Sequence, residues 1–274
     1  MRTIAHISDL HFGRLNDDAL PALRDAIRAA KPDVVAVSGD LTQRARSAEF
    51  VAARRFLDTL PRPQIVVPGN HDVPLFNAFA RWLTPLAKYR RYVTDDLEPF
   101  HADDEIAVIG LNTARSLTVK GGRINALQVA NGCARFHTTG EGVTRILVTH
   151  HPFDVAEGGD VGDVVGRAGM AMAGFAQCRI DMLLSGHVHV SGTGSSAKRY
   201  DIAGYSALLV QAGTATSSRQ RGEANTWNLI RIERPHITVE CRSWDAARGG
   251  FEVSRTSAFT YGAAGWAPAR DTSA

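Results

Sequence analysis

Cysteine is scarce in this 274-residue chain: Cys133, Cys178 and Cys241, odd in number and far apart. That count predicts no disulfide framework and suits a reducing compartment, so the expected location is cytoplasmic. No C-x-x-C pair occurs, which argues against a sulfur-ligated zinc site. Charge of one sign is not in excess either. The net charge is +3 with histidines neutral, too mild to imply a polyanion partner without clustering. The short pairs Arg44 with Arg46 and Arg90 with Arg91 read as solvated surface. No stretch of ~18 apolar residues exists, so no spanning helix is expected. The opening MRTIAHISDLHFG lacks the long apolar core of a secretion signal. There is no internal repeat, no low-complexity linker, and no G-x-S-x-G or reactive-cysteine context to supply a protein nucleophile. The expected organisation is one domain over 1–250, with a helical insertion at about 77–101 and a loosely packed tail at 251–274.

What is present is a large apolar fraction, 44%, enough to bury a substantial core. The first half alternates short apolar runs with helical periodicity. Strands are expected at Thr3 to Ser8, Asp33 to Ser38 and 65–67. Helices are expected between them, one from Asn16 to Ala30 with Leu20, Leu23 and Ile27 on one face, and one capped by Ser47 and running to Leu60. Strand–helix–strand order implies crossover connections and a mostly parallel inner sheet. Further strands are expected at Ile106 to Leu111, Arg145 to Thr149 and Asp181 to Ser185, with helices near Ile124 to Phe136 and Met170 to Cys178. After His189 the pattern turns to short β runs, Ala207 to Ala212, Thr226 to Ile232 and His236 to Ser243. These read as an antiparallel second sheet.

The chemistry-bearing residues stand at the carboxyl ends of those strands. The first ends in Ser8-Asp9-Leu10-His11 and the second in Ser38-Gly39-Asp40. The third ends in Pro68-Gly69-Asn70-His71-Asp72. Two later strands run into His150-His151-Pro152 and Gly186-His187-Val188-His189. Ligands of open α/β sheets gather beyond that edge. Carboxylate, imidazole and amide oxygen together suit borderline divalent metals. An extended backbone through D-x-H and H-x-H would aim residues i and i+2 to one side. Glycines at 39, 69 and 186 would allow close backbone approach. Taken singly, GD or GNHD could be an ordinary turn, and a lone histidine a packed one. Five such strand ends in one chain are hard to ascribe to packing.

The order D-x-H, GD, GNHD, HH, GHxH, from Asp9 to His189, resembles the calcineurin-like metallophosphoesterase superfamily. Within it, SGDLTQRA, VVPGNHD and LVTHHPF are most similar to the class III cyclic nucleotide phosphodiesterase branch. The GDxxDR text of protein Ser/Thr phosphatases is absent, because Asp40 is followed by Leu41-Thr42-Gln43-Arg44. The resemblance implies an α/β (α+β) fold, a four-layer β-sandwich of two mixed sheets flanked by helices. It also implies two divalent or mixed-valence metal ions, Mn, Fe or Zn. Asp9, His11, Asp40 and His189 would hold the first; Asp40, Asn70, His150 and His187 the second, with Asp40 bridging. His71 would lie near the phosphate as a catalytic group, oriented by Asp72 or by a backbone group. His151 would be a neighbour of the site, and Asn112 and Arg115 of the GLNTAR segment possible substrate or supporting residues. His6 reads as structural, and His101, His137 and His236 carry no motif.

This set suits in-line hydrolysis of a small phosphodiester, cyclic nucleotide or similar, by a hydroxide held between two metals ~3.5–4 Å apart. A nuclease or phosphomonoesterase of the same superfamily is the alternative, and a silent metal-binding scaffold is the alternative of another class. Nucleic acid is not favoured at this net charge. A dimer is compatible with all of these. Phe76, Phe79, Trp82, Tyr89 and Tyr92 read first as packing of the insertion and second as a lid over a base. Gly158, Gly159, Gly162, Gly166 and Gly169 predict a mobile loop over 153–170.

Overall fold

The order of elements is β1 (Arg2–Ile7), α1 (Ala19–Ala30), β2 (Val34–Ser38), α2 (Ser47–Asp58), β3 (Gln64–Val67), α3 (Ala78–Leu83), α4 (Ala87–Tyr92), β4 (Phe100–Ala102), β5 (Ile106–Gly110), α5 (Ala126–Phe136), β6 (Thr144–Val148), α6 (Ala168–Gln177), β7 (Met182–Ser185), β8 (Gly192–Ser195), β9 (Leu208–Gln211), β10 (Thr226–Glu233), β11 (His236–Asp245), β12 (Gly250–Gly262) and β13 (Gly265–Pro268). This computed structural model describes all residues except 76–77, 117, 119, 158, 219–221 and 270–274. Phe76, Gly158 and the last five residues of the expected tail lie outside the described residues.

Two mixed sheets carry the chain. A seven-stranded sheet runs β13-β12-β11-β10-β1-β2-β3 and a six-stranded one runs β4-β5-β6-β7-β9-β8. The β1-β2-β3 and β5-β6-β7-β9 neighbours are parallel. Such strands are covered on both faces, which is why they read as continuous apolar runs. Alternate residues go to opposite layers. Ile4, Val34, Ala36, Val108, Ile146, Val148 and Leu184 fill the space between the sheets. Ala5, Ile7, Val35 and Val37 face α1, α2 and α4 through Leu23, Ile27, Phe50 and Tyr89. Ala107, Ile109, Leu147 and Leu183 face α5 and α6 through Val129, Phe136, Met172 and Phe175. The layers are therefore helix, sheet, sheet, helix.

Several expectations are corrected. The strands after His189 do not make a sheet of their own. β8 and β9 extend the second sheet, whereas β10 pairs antiparallel with β1 at the registers Arg2↔Ile232 and His6↔Asn228. Alternation marks a strand but leaves its partner to be set by the long-range core. The tail at 251–274 is not loose as far as it is described. β12 pairs with β11, β13 folds back on β12, and buried Trp266 donates Nε1–H to Asp181 Oδ1 at 2.8 Å. Its polar face hid it, because Glu252, Ser254 and Thr256 sit on exposed pleats.

Ser47 does not cap α2. Glu49 reaches back instead, accepting from Arg44 N at 2.8 Å and Arg46 N at 3.2 Å. Cys133 of α5 and Cys178 at the end of α6 are paired as a disulfide with Cα atoms 5.3 Å apart, leaving Cys241 buried and free. A 45-residue separation hid that contact, which only α5–α6 packing creates. No helix among the described residues is long and apolar enough to cross a membrane.

Candidate metal centre

Loops at the carboxyl ends of β1, β2, β3, β6 and β7 meet at the mouth between the two sheets. The backbone there is not extended as the D-x-H and H-x-H spacing suggested. Asp9 (φ 51°), His11 (49°), Asp40 (52°), His187 (74°) and His189 (62°) all take left-handed conformations. L side chains rarely adopt that region, and such outliers concentrate at functional sites. The turn aims the side chains, so each pair converges through tight backbone reversal. Close approach explains two glycines. A Cβ on Gly69 would lie 2.1 Å from Asp40 Oδ1, and one on Gly186 would lie 1.8 Å from Ser8 Oγ.

The side chains form two adjoining clusters. In the first, His189 Nε2 stands 3.1 Å from Asp9 Oδ1 and 3.1 Å from His11 Nε2. His11 Nε2 lies 3.6 Å from Asp9 Oδ1 and 3.8 Å from Asp40 Oδ2. In the second, His150 Nε2 lies 3.0 Å from Asn70 Oδ1 and 3.5 Å from Asp40 Oδ1. His187 Nδ1 is 3.1 Å from Asn70 Oδ1 and 3.2 Å from His150 Nε2. The two oxygens of Asp40 therefore face one cluster each.

This donor set fits metal ions. Asp9 Oδ1 is buried and receives no hydrogen bond, while Asp9 Oδ2 accepts from Ser8 Oγ at 2.6 Å and His187 N at 3.0 Å. His150 Nδ1–H donates to Ser38 O at 2.8 Å, so its Nε2 presents a lone pair. Carboxylate, amide and imidazole donor atoms brought this close together in a buried place suit a bound cation. Asp9, His11, Asp40 and His189 offer four ligand atoms in one place, and His150, His151 and His187 three in another. His151 is nevertheless a neighbour and not a donor. Its Nδ1 faces Thr113 Oγ1 at 2.8 Å and its Nε2 faces Lys120 O at 2.7 Å, which occupies both ring nitrogens. Asn70 Oδ1 takes the remaining place in the second cluster.

The supporting residues were not legible from motif text. Asp163 Oδ1 lies 3.3 Å from His187 Nε2, which fixes the ring with Nδ1 toward the site. A carboxylate behind a ligating histidine is worth ~10–100-fold in metal affinity. Asp163→Asn is therefore expected to weaken binding of one metal by ~10-fold or more, read by competition with a fluorescent chelator. Unchanged affinity would remove Asp163 from the site. The spacing from Asp163 to His187 follows no motif, so only loop packing reveals the pair.

His71 Nδ1 meets Gln43 O at 2.9 Å, and its backbone N–H donates to Asp40 Oδ1 at 2.8 Å. A backbone carbonyl, not Asp72, thus orients the ring. Asp72 is buried and does another task. It accepts from Leu41 N (3.1 Å), Thr42 N (2.9 Å), Thr42 Oγ1 (2.9 Å) and Gly69 N (2.9 Å), tying the Asp40 loop to the Asn70 loop. Asn112 is spent locally, its Oδ1 accepting from Ala114 N at 2.9 Å. His6 Nε2 meets Ser38 Oγ at 2.9 Å, a structural contact below the site.

The electrostatics follow from burial and proximity. Burial raises the Asp9 carboxyl, but the His189 ring, then the His11 ring, beside it outweigh that and leave its pKa well below the usual range. Asp40 is lowered in the same way, burial being overcome by His150, His71 and His11. Burial, then His150, pulls His187 down to about 4, and burial lowers His71. Neutral imidazoles and ionised carboxylates are the forms that bind metal. The cavity over these residues is small, about 40 Å³, and is lined by Asp40, Asn70, His71, Lys120, Asp163, His187 and His189. Larger cavities of about 420 and 270 Å³ contain none of the candidate ligands.

The model of the calcineurin-like phosphoesterase family matches residues 2–191, which includes every cluster residue. The chain belongs to the calcineurin-like phosphoesterase family. This phosphoesterase is 33% identical to the glycerophosphodiester phosphodiesterase GpdQ of Enterobacter lignolyticus, across 34% of this chain and 39% of that relative. The match thus spans about two fifths of the relative's length. In fold it is similar to a dimetal phosphatase from Danio rerio, with TM-score 0.60, 14% identity, and 88% of this chain and 96% of that chain covered. It is also similar to a purple acid phosphatase from yellow lupin seeds, with TM-score 0.70, 11% identity, and 94% and 53% covered. Family membership supports a hydrolase, and the clustered Asp and His side chains are its candidate metal ligands.

Proposed function

We propose that this chain hydrolyses small phosphodiesters at a two-metal centre. The observation that carries the reading is the placement of Asp40 between two clusters, one oxygen facing His11 and the other His150. The first metal would sit among Asp9, His11, Asp40 and His189, and the second among Asp40, Asn70, His150 and His187. When bound, such a pair supplies an activated water near neutral pH and offsets charge on the phosphoryl oxygens.

The chain's own residues do the rest. Ser38 O and Asp163 hold His150 and His187 in the tautomers that face inward. Gln43 O takes the Nδ1 proton of His71, so its Nε2 is the atom left to serve the ester at the cavity rim. His71→Ala is expected to lower turnover ~10²-fold or more, as loss of a positioned proton-transfer group does, with metal content retained. Parallel loss of metal would end that role for His71. The partial match to a phosphodiesterase supports a diester over a monoester substrate, and cyclic nucleotides and glycerophosphodiesters are the first esters to try.

The deciding experiment is turnover of bis-p-nitrophenyl phosphate against p-nitrophenyl phosphate, using chelator-stripped protein with and without Mn(II). Metal-dependent turnover faster on the diester is the expected result. Faster monoester turnover would make it a phosphatase. Metal uptake with no turnover of either would make it a scaffold.

A further inference from the structure

Three arginines and a lysine stand on two adjoining loops, and the lysine, Lys120, lines the metal cavity. Lys120 lines the cavity itself with Asp40, Asn70 and His71. Its backbone carbonyl faces His151 Nε2, so the Lys120 loop is seated on the site's inner wall. Arg123 follows three residues later, with its N–H on Thr113 O at 3.0 Å and a bridge to Gly166. That bridge joins the loop to the one carrying Asp163 and Arg167. Arg115 lies close enough that the Arg123 and Arg167 charges, after burial, pull its guanidinium below the usual range. Arg123 Nε is buried with no partner.

Among the described residues, no carboxylate lies within ion-pair distance of Arg115, Lys120, Arg123 or Arg167. The neighbouring acid, Asp163, is engaged with His187. The three arginine charges therefore lie near one another without such a counter-charge, on loops joined to the one that seats Lys120 at the cavity. The loop is also held in position. Buried Arg81 donates to Ser116 O at 2.7 Å, Pro74 O at 3.0 Å and Thr118 O, pinning the segment before Lys120 to the insertion. Arg167 keeps a side chain at φ 68°, where glycine would be more at ease.

We propose that Arg115, Lys120, Arg123 and Arg167 form a wall that binds a second phosphoryl group of the substrate. The preferred substrates are then phosphodiesters carrying an additional phosphate. The small cavity takes the reacting phosphoryl group, and the rest of the ester lies along this rim. The inference rests on the phosphoesterase reading above for its chemistry, but the wall itself can be tested without turnover. Guanidinium groups grip phosphate by paired, charge-assisted hydrogen bonds, and like charges at this density attract a multivalent anion in a salt-dependent way.

The test compares two p-nitrophenyl esters of thymidine 5′-phosphate, one with and one without a 3′-phosphate, on metal-loaded wild type and on Arg115→Gln/Arg167→Gly. In the wild type, kcat/KM is expected to favour the 3′-phosphorylated ester by about tenfold, as one good charge-assisted contact allows. The double variant should lose that preference, read as the ratio of kcat/KM on the two esters in one preparation, so that any change common to both esters cancels. Equal rates on the two esters in the wild type, or a preference that survives in the variant, would overturn the wall. If no ester is turned over, calorimetry with thymidine 3′,5′-bisphosphate against thymidine 5′-phosphate still decides it. Tighter binding of the bisphosphate, lost in the variant, supports the wall, and equal binding rejects it. Arg167→Gly alone, at a backbone angle glycine favours, serves as the variant if the double substitution does not fold.

Discussion

Asp40→Ala is expected to lose both metals together and to lower kcat/KM by ~10³-fold or more, about 4 kcal/mol of transition-state stabilisation. The reason is geometric. One carboxylate oxygen lies 3.5 Å from His150 Nε2 and the other 3.8 Å from His11 Nε2, so this one side chain faces both clusters. The same carboxylate accepts the His71 N–H, which couples the loss to the cavity rim. Metal content by plasma mass spectrometry and diester turnover are read on one preparation. Asp40→Asn is the companion variant, because its amide oxygen keeps the His71 bond while the charge and the second ligand oxygen are lost. Full occupancy of two metals in Asp40→Ala would contradict the bridging assignment, whatever the activity.

The second large effect falls on stability. Asp72→Ala is expected to cost about 4 kcal/mol, because its four buried donors each lose a charged acceptor at ~1–3 kcal/mol and do not add fully. For a chain of this size that is a fall of about 10 °C in Tm. Asp72 is costly to bury, since burial and then the Asp40 charge push its carboxyl up to about 6 against the pull of the Gly69, Thr42 and Leu41 N–H groups. It is retained as the tie between the loop that carries Asp40 and the loop that carries Asn70. A thermal melt of the metal-free protein isolates this effect from metal loss. A shift below about 2 °C would show that the loops hold without the tie.

The difference between Asp72 and its neighbours marks where sequence reading reached and where it stopped. Asp9, His11, Asp40, Asn70, His150, His187 and His189 each follow an apolar run, and a strand delivers its terminal residue to a known edge of the sheet. The structure brings all seven together at that edge. Asp72 stands in the same GNHD text, yet its side chain turns to backbone N–H groups that no pattern announces. Asp163, Gln43 and Ser38 act through a ring nitrogen or a carbonyl, contacts set by loop packing alone. The backbone reversal at the ligands was also invisible, because D-x-H reads the same whether extended or left-handed. Likewise β12 and β13 looked like tail because a half-exposed strand lacks a continuous apolar run. The Cys133–Cys178 pair looked like two stray thiols because α5 and α6 meet only in three dimensions.

The five left-handed residues among the proposed ligands would give bound cations a structural duty. Each such residue holds roughly 1–3 kcal/mol of conformational strain. Asp9, His11, Asp40, His187 and His189 therefore form a set of cocked springs at one rim of the sandwich. Ligand binding is the latch on those springs. A chain emptied of its cations holds that tension only with hydrogen bonds such as those of Asp72, Asp9 and Asp40, so the rim is expected to relax before the core does.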